Sequence, residues 1–308
     1  MPKFSVIISV YNKGKYIKKT LESVLNQSIQ DFEICIVNDG SRDNSESIIN
    51  KIDDSRIHYH YQKNKGASAG RNLALKNSTG DYKAFLDADD LWDEDHLLEI
   101  EKLIQLFPLN KVFSTSLKIE DSTGIYPATY DIPNQKYQSL NFFKNSLADP
   151  ILSGSTTVIH KSIMEEIGIF DENISSGQDT DYWIRIGLKY DVAFSKKITA
   201  IYTFVPNSLS QKKFEFHMKI EFSKFDKLAI DNKPLAKFIA YNRLSFWVKC
   251  LSVNDKKNAS LLKKKINKRL LTKNQQFILL LNSWQIKLLL TTKEILKKIG
   301  MRPKLFRR

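Results

Sequence analysis

The chain opens on Phe4-Ser-Val-Ile-Ile-Ser-Val10, an apolar, β-branched run of the kind a strand buried on both faces requires. Ile17, Leu21, Val24 and Leu25 then recur at helical spacing. The pattern repeats: residues 32–37 predict a strand, 43–52 a helix, 57–61 a short strand, 68–78 a helix and 82–86 a strand. Asp93 stands where a cap precedes a helix with Leu97, Ile100, Ile104 and Phe107 on one face. Strands alternating with helices at this rhythm predict an α/β fold, a mostly parallel, doubly wound sheet with flanking helices.

Beyond this the pattern is mixed, with short strands over 111–120, 156–160 and 192–204 and a helix from about Thr180 to Tyr190. From about residue 212 amphipathic helices take over: one begun by Pro234, one over Leu261 to Leu271 and one over Gln275 to Ile299. The expected organisation is a catalytic domain over 1–211 and a basic helical region over 212–308.

With 42% hydrophobic and 27% charged residues, the composition is that of a folded globular protein. Cys35 and Cys250 lie far apart and outside any CxxC pair, which argues against a zinc site or a disulfide framework and fits a reducing compartment. The first apolar run lacks the features of a signal peptide. The stretch from Phe277 to Leu290, nearest to a membrane span, is interrupted by Asn282, Ser283, Gln285 and Lys287. Charge changes the picture more. Residues 212–308 carry 25 Lys and Arg against 6 Asp and Glu, a net of +19, which leaves −5 of the total +14 for residues 1–211. A mildly acidic half is joined to a basic one that faces something anionic, nucleic acid or membrane.

Ligands of open α/β sheets bind beyond the carboxyl ends of the strands. There the sequence sets Tyr11-Asn12, then Asn38-Asp39-Gly40-Ser41, then Asp87-Ala88-Asp89-Asp90. Carboxylates at i and i+2 after a buried strand can face one cavity and offer oxygens to a hard divalent ion, which prefers few protein ligands when it also binds phosphates; alternatively they are solvated turn residues, with Asp90 or Asp93 capping the next helix. Asp39 can accept hydrogen bonds from a base or ribose, or open an Asx turn. In Gly177-Gln178-Asp179-Thr180-Asp181, Thr180 or Asp181 suits a helix cap, and Asp179, one step outside, suits a general base.

Four segments in order, SVIISVYNKGKYIKKTLESVLNQS, FEICIVNDGSRDNS, NKGASAGRNLALKNSTGDYKAFLDADD and FDENISSGQDTDYWIRI, resemble glycosyltransferase family 2, whose members adopt the GT-A fold. The resemblance covers about residues 4–210. It implies nucleotide binding by Tyr11, Asn12, Asp39, Arg71, Asp87 and Ala88, coordination of Mn or Mg by Asp89, and Asp179 as the base that deprotonates the acceptor for inversion by single displacement. A metal-bound diphosphate leaves, so one base suffices, unlike the two-carboxylate scheme of glycosidases. Two positions depart from the family pattern: Gln178 where a Glu is usual, and Val205 where related proteins often carry a His. The QxxRW motif of processive synthases is absent. The expected activity is an inverting, non-processive transfer from a nucleotide-sugar, with UDP the carrier the resemblance favours, to a glycan or lipid-linked acceptor in bacterial surface polysaccharide, lipopolysaccharide or capsule synthesis. Asp149-Pro150 and Gly154-Ser155 are expected to line the acceptor region.

The stretch LLKKKINKRLL interleaves lysines with leucines, and Trp247, Phe277, Trp284 and Phe306 are candidates for an interface. That pattern suits peripheral contact with an anionic membrane, placing the protein on the inner face of the cell membrane; equally, the apolar face can pack on the catalytic domain. The competing reading, a non-enzymatic nucleic-acid binder using the basic tail, lacks a recognised binding motif.

Overall fold

The computed structural model describes residues 2–206 and 214–298. The elements are β1 (Phe4–Val10), α1 (Ile17–Leu25), β2 (Phe32–Asp39), α2 (Ser45–Ile49), β3 (Ile57–Gln62), α3 (Ala67–Asn77), β4 (Tyr82–Phe85), β5 (Leu91–Trp92) and α4 (His96–Leu106). There follow β6 (Val112–Asp121), β7 (Gly124–Pro127), β8 (Tyr137–Leu140), α5 (Phe142–Asn145), β9 (Val158–His160), α6 (Ser162–Ile167), α7 (Gln178–Gly187) and β10 (Val192–Tyr202). The C-terminal helices are α8 (Asp226–Ala229), α9 (Lys233–Ser252), α10 (Lys256–Lys265), α11 (Lys273–Ile278) and α12 (Ser283–Lys298).

One sheet runs in the order β3-β2-β1-β4-β9-β6-β10-β5, with β7 on β6 and β8 on β10. The pairs β3-β2, β2-β1 and β1-β4 are parallel, as the βα rhythm predicts. Past β4 the sheet is mixed: β9 runs antiparallel to both β4 and β6, and β10 is parallel to β6 but antiparallel to β5 and β8. Burial on both faces explains the uninterrupted apolar strands. Ile7, Cys35, Val37 and Phe85 join a core that includes α7 and the start of α9. Val6, Ile8, Ile34 and Ile36 join a second core with α1 and α4. The strand order reverses between β1 and β4, so the loops after these two strands flank the crevice where doubly wound sheets bind ligands.

Several boundaries differ from the periodicity. The helix predicted after Asp93 starts at His96, and Asp95 rather than Asp93 is its flanking residue. The helix expected from Thr180 begins at Gln178, so Asp179, Thr180 and Asp181 all lie inside its first turns and none is the cap; Gly177, at φ 87°, occupies that position. Asp181 is instead buried and paired with Arg185 and Lys224. The tail is divided more finely than expected. α10 ends at Lys265, and the stretch read as one helix from Gln275 is two, α11 and α12. The break follows local chemistry: Thr272 and Gln275 form a capping box at α11, and Asn282 and Gln285 exchange the same pair of bonds at the start of α12. Ile299 and Phe306 lie outside the described residues. Trp247, a candidate interface residue, is buried among the tail helices. Among the described residues no helix is long and apolar enough to cross a membrane.

Candidate active site

The site is assembled by loops at the carboxyl ends of β1, β2 and β4 and by the first turns of α3 and α7. The β1 and β2 loops are knitted together. The Asn12 amide donates to Ser41 Oγ at 3.0 Å, and Asn12 Oδ1 accepts from the Arg42 amide at 2.8 Å. Asn12 takes a left-handed backbone, φ 53°, one of the few non-glycine residues that tolerate it. Tyr11 is exposed beside it.

Asp39 is buried at the end of β2 and clamps the start of α3. Its Oδ1 accepts from the Lys65 amide at 2.9 Å and from Gln62 Nε2 at 2.7 Å, and its Oδ2 from the Gly66 amide at 2.8 Å. The Gly66 amide is the N-cap donor of α3 and Lys65 immediately precedes it, at a helix start where a carboxylate is favourable. One turn on, Gly70 packs so closely on β1 that a Cβ would stand 2.1 Å from Ser9 Oγ. α3 is thereby fixed in depth and rotation, and that fixes Arg71.

Arg71 is only 7% exposed. It is no helix-surface arginine: its Nη2 donates to Asp87 Oδ1 at 2.6 Å, and its Nη1 lies 3.0 Å from Asp179 Oδ1, an ion pair without hydrogen-bond alignment. The guanidinium joins an acid from the loop after β4 to an acid from α7, which are 92 residues apart in the chain. Burial works against its charge, but Asp179 and Asp87 more than offset that and hold it protonated. Asp179 is lifted above the usual carboxylate range by burial, pulled back by Arg71 and pushed up again by Asp87. Gly154 makes room for this array, since a Cβ there would stand 2.8 Å from Asp87 Oδ2.

The predicted Asp87-Ala88-Asp89 triplet splits three ways. Asp87 meets Arg71, while Ala88 is buried in the core and its carbonyl accepts from Thr20 Oγ1 at 3.1 Å. Asp89 accepts from the ammonium of Lys13, in the β1 loop. Burial and the neighbouring Asp87 raise the Asp89 carboxyl, and Lys13 partly offsets them. Asp90, offered by the sequence only as a possible cap, is fully buried. It accepts from Ser155 Oγ and from the Thr203 amide at 2.8 Å, tying the β4 loop to the end of β10. Burial, then Asp87 and Asp89, push its carboxyl well above the ordinary value. Ser155 also receives the Asp87 amide at 3.1 Å, so this residue, expected near the acceptor, organises the acid cluster. Asp149 accepts from the Thr129 amide at 2.8 Å.

Sequence reasoning missed Lys13, and it offered Asp90 only as a possible cap and Ser155 only for the acceptor region, not for the acid cluster. A cation in the loop after β1 was a readable signal for Lys13. The other two had none, because their partners come from remote segments.

The donors fit a divalent ion by chemistry: Asp87 and Asp89 supply hard carboxylate oxygens, and Mg or Mn needs only one or two when phosphates and water complete the shell. Both are already compensated by Arg71 and Lys13. Among the described residues no group of three His, Cys, Asp or Glu is placed to hold a metal.

Beside Asp179 lies a cavity of about 280 Å³. Phe142, Gly154, Trp183, Phe238 and Asn242 share its lining with Asp179. Phe238 and Asn242 belong to α9, so the C-terminal helices form part of the wall. A second cavity, of about 460 Å³, lies between α1, β5 and β10, away from these acids.

Comparisons with known proteins agree with this architecture. The chain is 31% identical over 226 residues to the putative teichuronic acid biosynthesis glycosyltransferase TuaG of Bacillus subtilis, covering 72% of this chain and 86% of that protein. An uncharacterized glycosyltransferase of Rickettsia bellii is 37% identical over 186 residues, covering 60% of this chain and 26% of that protein. The chain spans between about a quarter and three fifths of the length of the Rickettsia relatives it matches. Residues 1–349 of S. aureus TarS, solved in complex with UDP-GlcNAc, superimpose with a TM-score of 0.65 at 18% identity, covering 97% of this chain and 92% of that one, and share the GT-A fold. The family model for glycosyl transferase family 2 matches residues 5–168, and the chain belongs to that family.

Proposed function

We propose that the protein is an inverting, non-processive glycosyltransferase that moves a sugar from a UDP-sugar to a glycan or lipid-linked acceptor in bacterial surface polysaccharide synthesis. The observation that carries this reading is the buried Arg71, which joins Asp87 of the β4 loop to Asp179 at the start of α7. A base held by the same guanidinium as the acid beside the diphosphate site is held at a set distance from the leaving group. The names of two similar proteins support the substrate class: TuaG for teichuronic acid biosynthesis, and TarS for its complex with UDP-GlcNAc.

Asp179 takes the proton of the acceptor hydroxyl. The hydroxyl oxygen then attacks the anomeric carbon from the face opposite the diphosphate, the bond to the diphosphate oxygen breaks, and UDP departs with the sugar inverted. The apolar wall of Phe142, Trp183 and Phe238 excludes water from one side of the cavity and suits an acceptor there. Tyr11, Asn12 and Asp39 line the nucleoside end. Asp89, with Asp87 beside it, would hold a Mn or Mg ion, which supplies charge neutralisation to the departing diphosphate. The exposed apolar residues and lysines of the C-terminal helices suit peripheral attachment to the inner face of the cell membrane.

The test is a thermal-shift panel of UDP, GDP, CDP and dTDP, each with and without Mn²⁺, on the wild type and Asp89→Ala. A ligand at about 100 times its Kd stabilises a fold by about 2.7 kcal/mol. UDP is expected to raise the wild-type melting temperature most, with the Mn²⁺-dependent part lost in Asp89→Ala. If no nucleotide moves the transition while short DNA does, the transferase reading fails.

A further inference from the structure

The carboxylate expected to meet a metal already has a cation of its own. We propose that Lys13 is a resident counter-cation for Asp89, competing with divalent ions for that carboxylate and turning to the nucleotide's diphosphate when an ion takes it. The proposal rests on the reading that the site binds a nucleoside diphosphate.

Three observations carry it. The side chains of Lys13 and Asp89 are 19% and 14% exposed, so the pair is largely desolvated and unlike the weak ion pairs of open surfaces. Removing one partner of such a pair leaves an uncompensated charge, a large penalty. Arg71 is committed to Asp87 and Asp179, and the ion-pair partner of Asp89 is Lys13. Finally, the base of the side chain is anchored while the stem above it can reorient. The Lys13 amide donates to Ser45 Oγ at 2.9 Å, and the ammonium rides on a four-carbon stem that reorients without moving the loop.

The consequence separates this site from one built around a metal. A divalent ion arriving alone must displace an ammonium from Asp89 and finds no cluster of three His, Cys, Asp or Glu among the described residues, so it binds weakly. A diphosphate arriving without metal still meets Lys13, so it binds measurably.

The experiment measures two affinities on the wild type, Lys13→Gln and Lys13→Arg: Mn²⁺ alone, from the electron paramagnetic resonance signal of free Mn²⁺, and UDP in EDTA, by calorimetry. Losing a charge-assisted contact shifts affinity by about tenfold or more, so Lys13→Gln is expected to bind Mn²⁺ alone at least about tenfold more tightly, and UDP in EDTA at least about tenfold more weakly. Lys13→Arg keeps the charge and is expected to follow the wild type in both. Wild-type affinities in both measurements for Lys13→Gln would overturn the assignment while leaving the donor reading intact. So would a wild type that binds UDP only when Mn²⁺ is present, a result that does not depend on whether the variants fold. A wild type that binds UDP under neither condition overturns the donor reading and this assignment with it.

Discussion

Asp179 is a half-buried acid whose neighbours act on its proton in opposite directions. Burial raises its affinity for the proton, Arg71 lowers it and Asp87 raises it. As a base it must be ionised, so transfer is expected to fall as pH drops through a value above the ordinary carboxylate range. A kcat/KM profile from pH 4 to 8 at saturating UDP-sugar measures that limb. Arg71→Met removes the charge that favours the ionised form, so the limb should move to higher pH; an unmoved limb would show that Arg71 does not act on the base. Asp179→Asn is expected to reduce transfer by about 10²–10⁴-fold while leaving UDP binding in place. At this scale the sequence was informative about identity and poor about contact. Asp39, Asp87, Asp89 and Asp179 were visible as acids at strand and helix ends. The pairs Arg71–Asp179 and Lys13–Asp89 bridge 108 and 76 residues of chain. No local pattern encodes them.

Elements hold these residues at working distances. α3 matters most, since Asp39 fixes its first turn, Gly70 sets its depth against β1, and Arg71 follows from both. The β4 loop is held from the other side by Ser155 and seated against Gly154. Gly154→Ala puts a methyl 2.8 Å from Asp87 Oδ2, and the carboxylate must move. Overpacking of this kind costs about 1–3 kcal/mol. The expected result is a lower melting temperature and weaker UDP binding, followed by thermal denaturation and calorimetry. Unchanged UDP affinity would show that the seat of Asp87 is not critical to the site. The early elements were readable because βα units pair neighbours in sequence, and β1 to β4 fall close to the ranges their patterns predict. β9 was predicted as a strand, but its place between β4 and β6 was not, because antiparallel insertion depends on remote partners. The break before α11 was read from the sequence, but the one marked by Asn282 and Gln285 was not, because the helical period continues across it and conceals it.

Across the whole molecule, charge and apolar exposure converge on the C-terminal helices. Leu280 and Trp284 are 73% and 70% exposed, and Phe277, Leu288 and Ile295 are exposed too. Residues 253–298 carry 12 Lys and Arg against 2 Asp and Glu. Anionic lipid vesicles are therefore expected to retain the protein, less so at high salt because the basic surface is screened. Burying a large apolar side chain contributes about 1.5–3 kcal/mol, so a Leu280→Ser and Trp284→Ser double variant should lose at least about tenfold in vesicle affinity in sedimentation. Both side chains are exposed, so its melting temperature should hold. Equal retention of variant and wild type would remove these helices as a membrane surface. The same helices also face inward: α9 contributes Phe238 to the core beneath the cavity and Asn242 to the wall beside Asp179. The sequence by itself determined the alternation of strand and helix, the acids at the strand ends and the basic tail, because each is written in local periodicity or local charge. Only the tertiary structure decided which cation meets which acid, that Asp90 and Ser155 brace the cluster, and that α9 helps wall the cavity, because those depend on segments brought together by a shared core rather than by sequence.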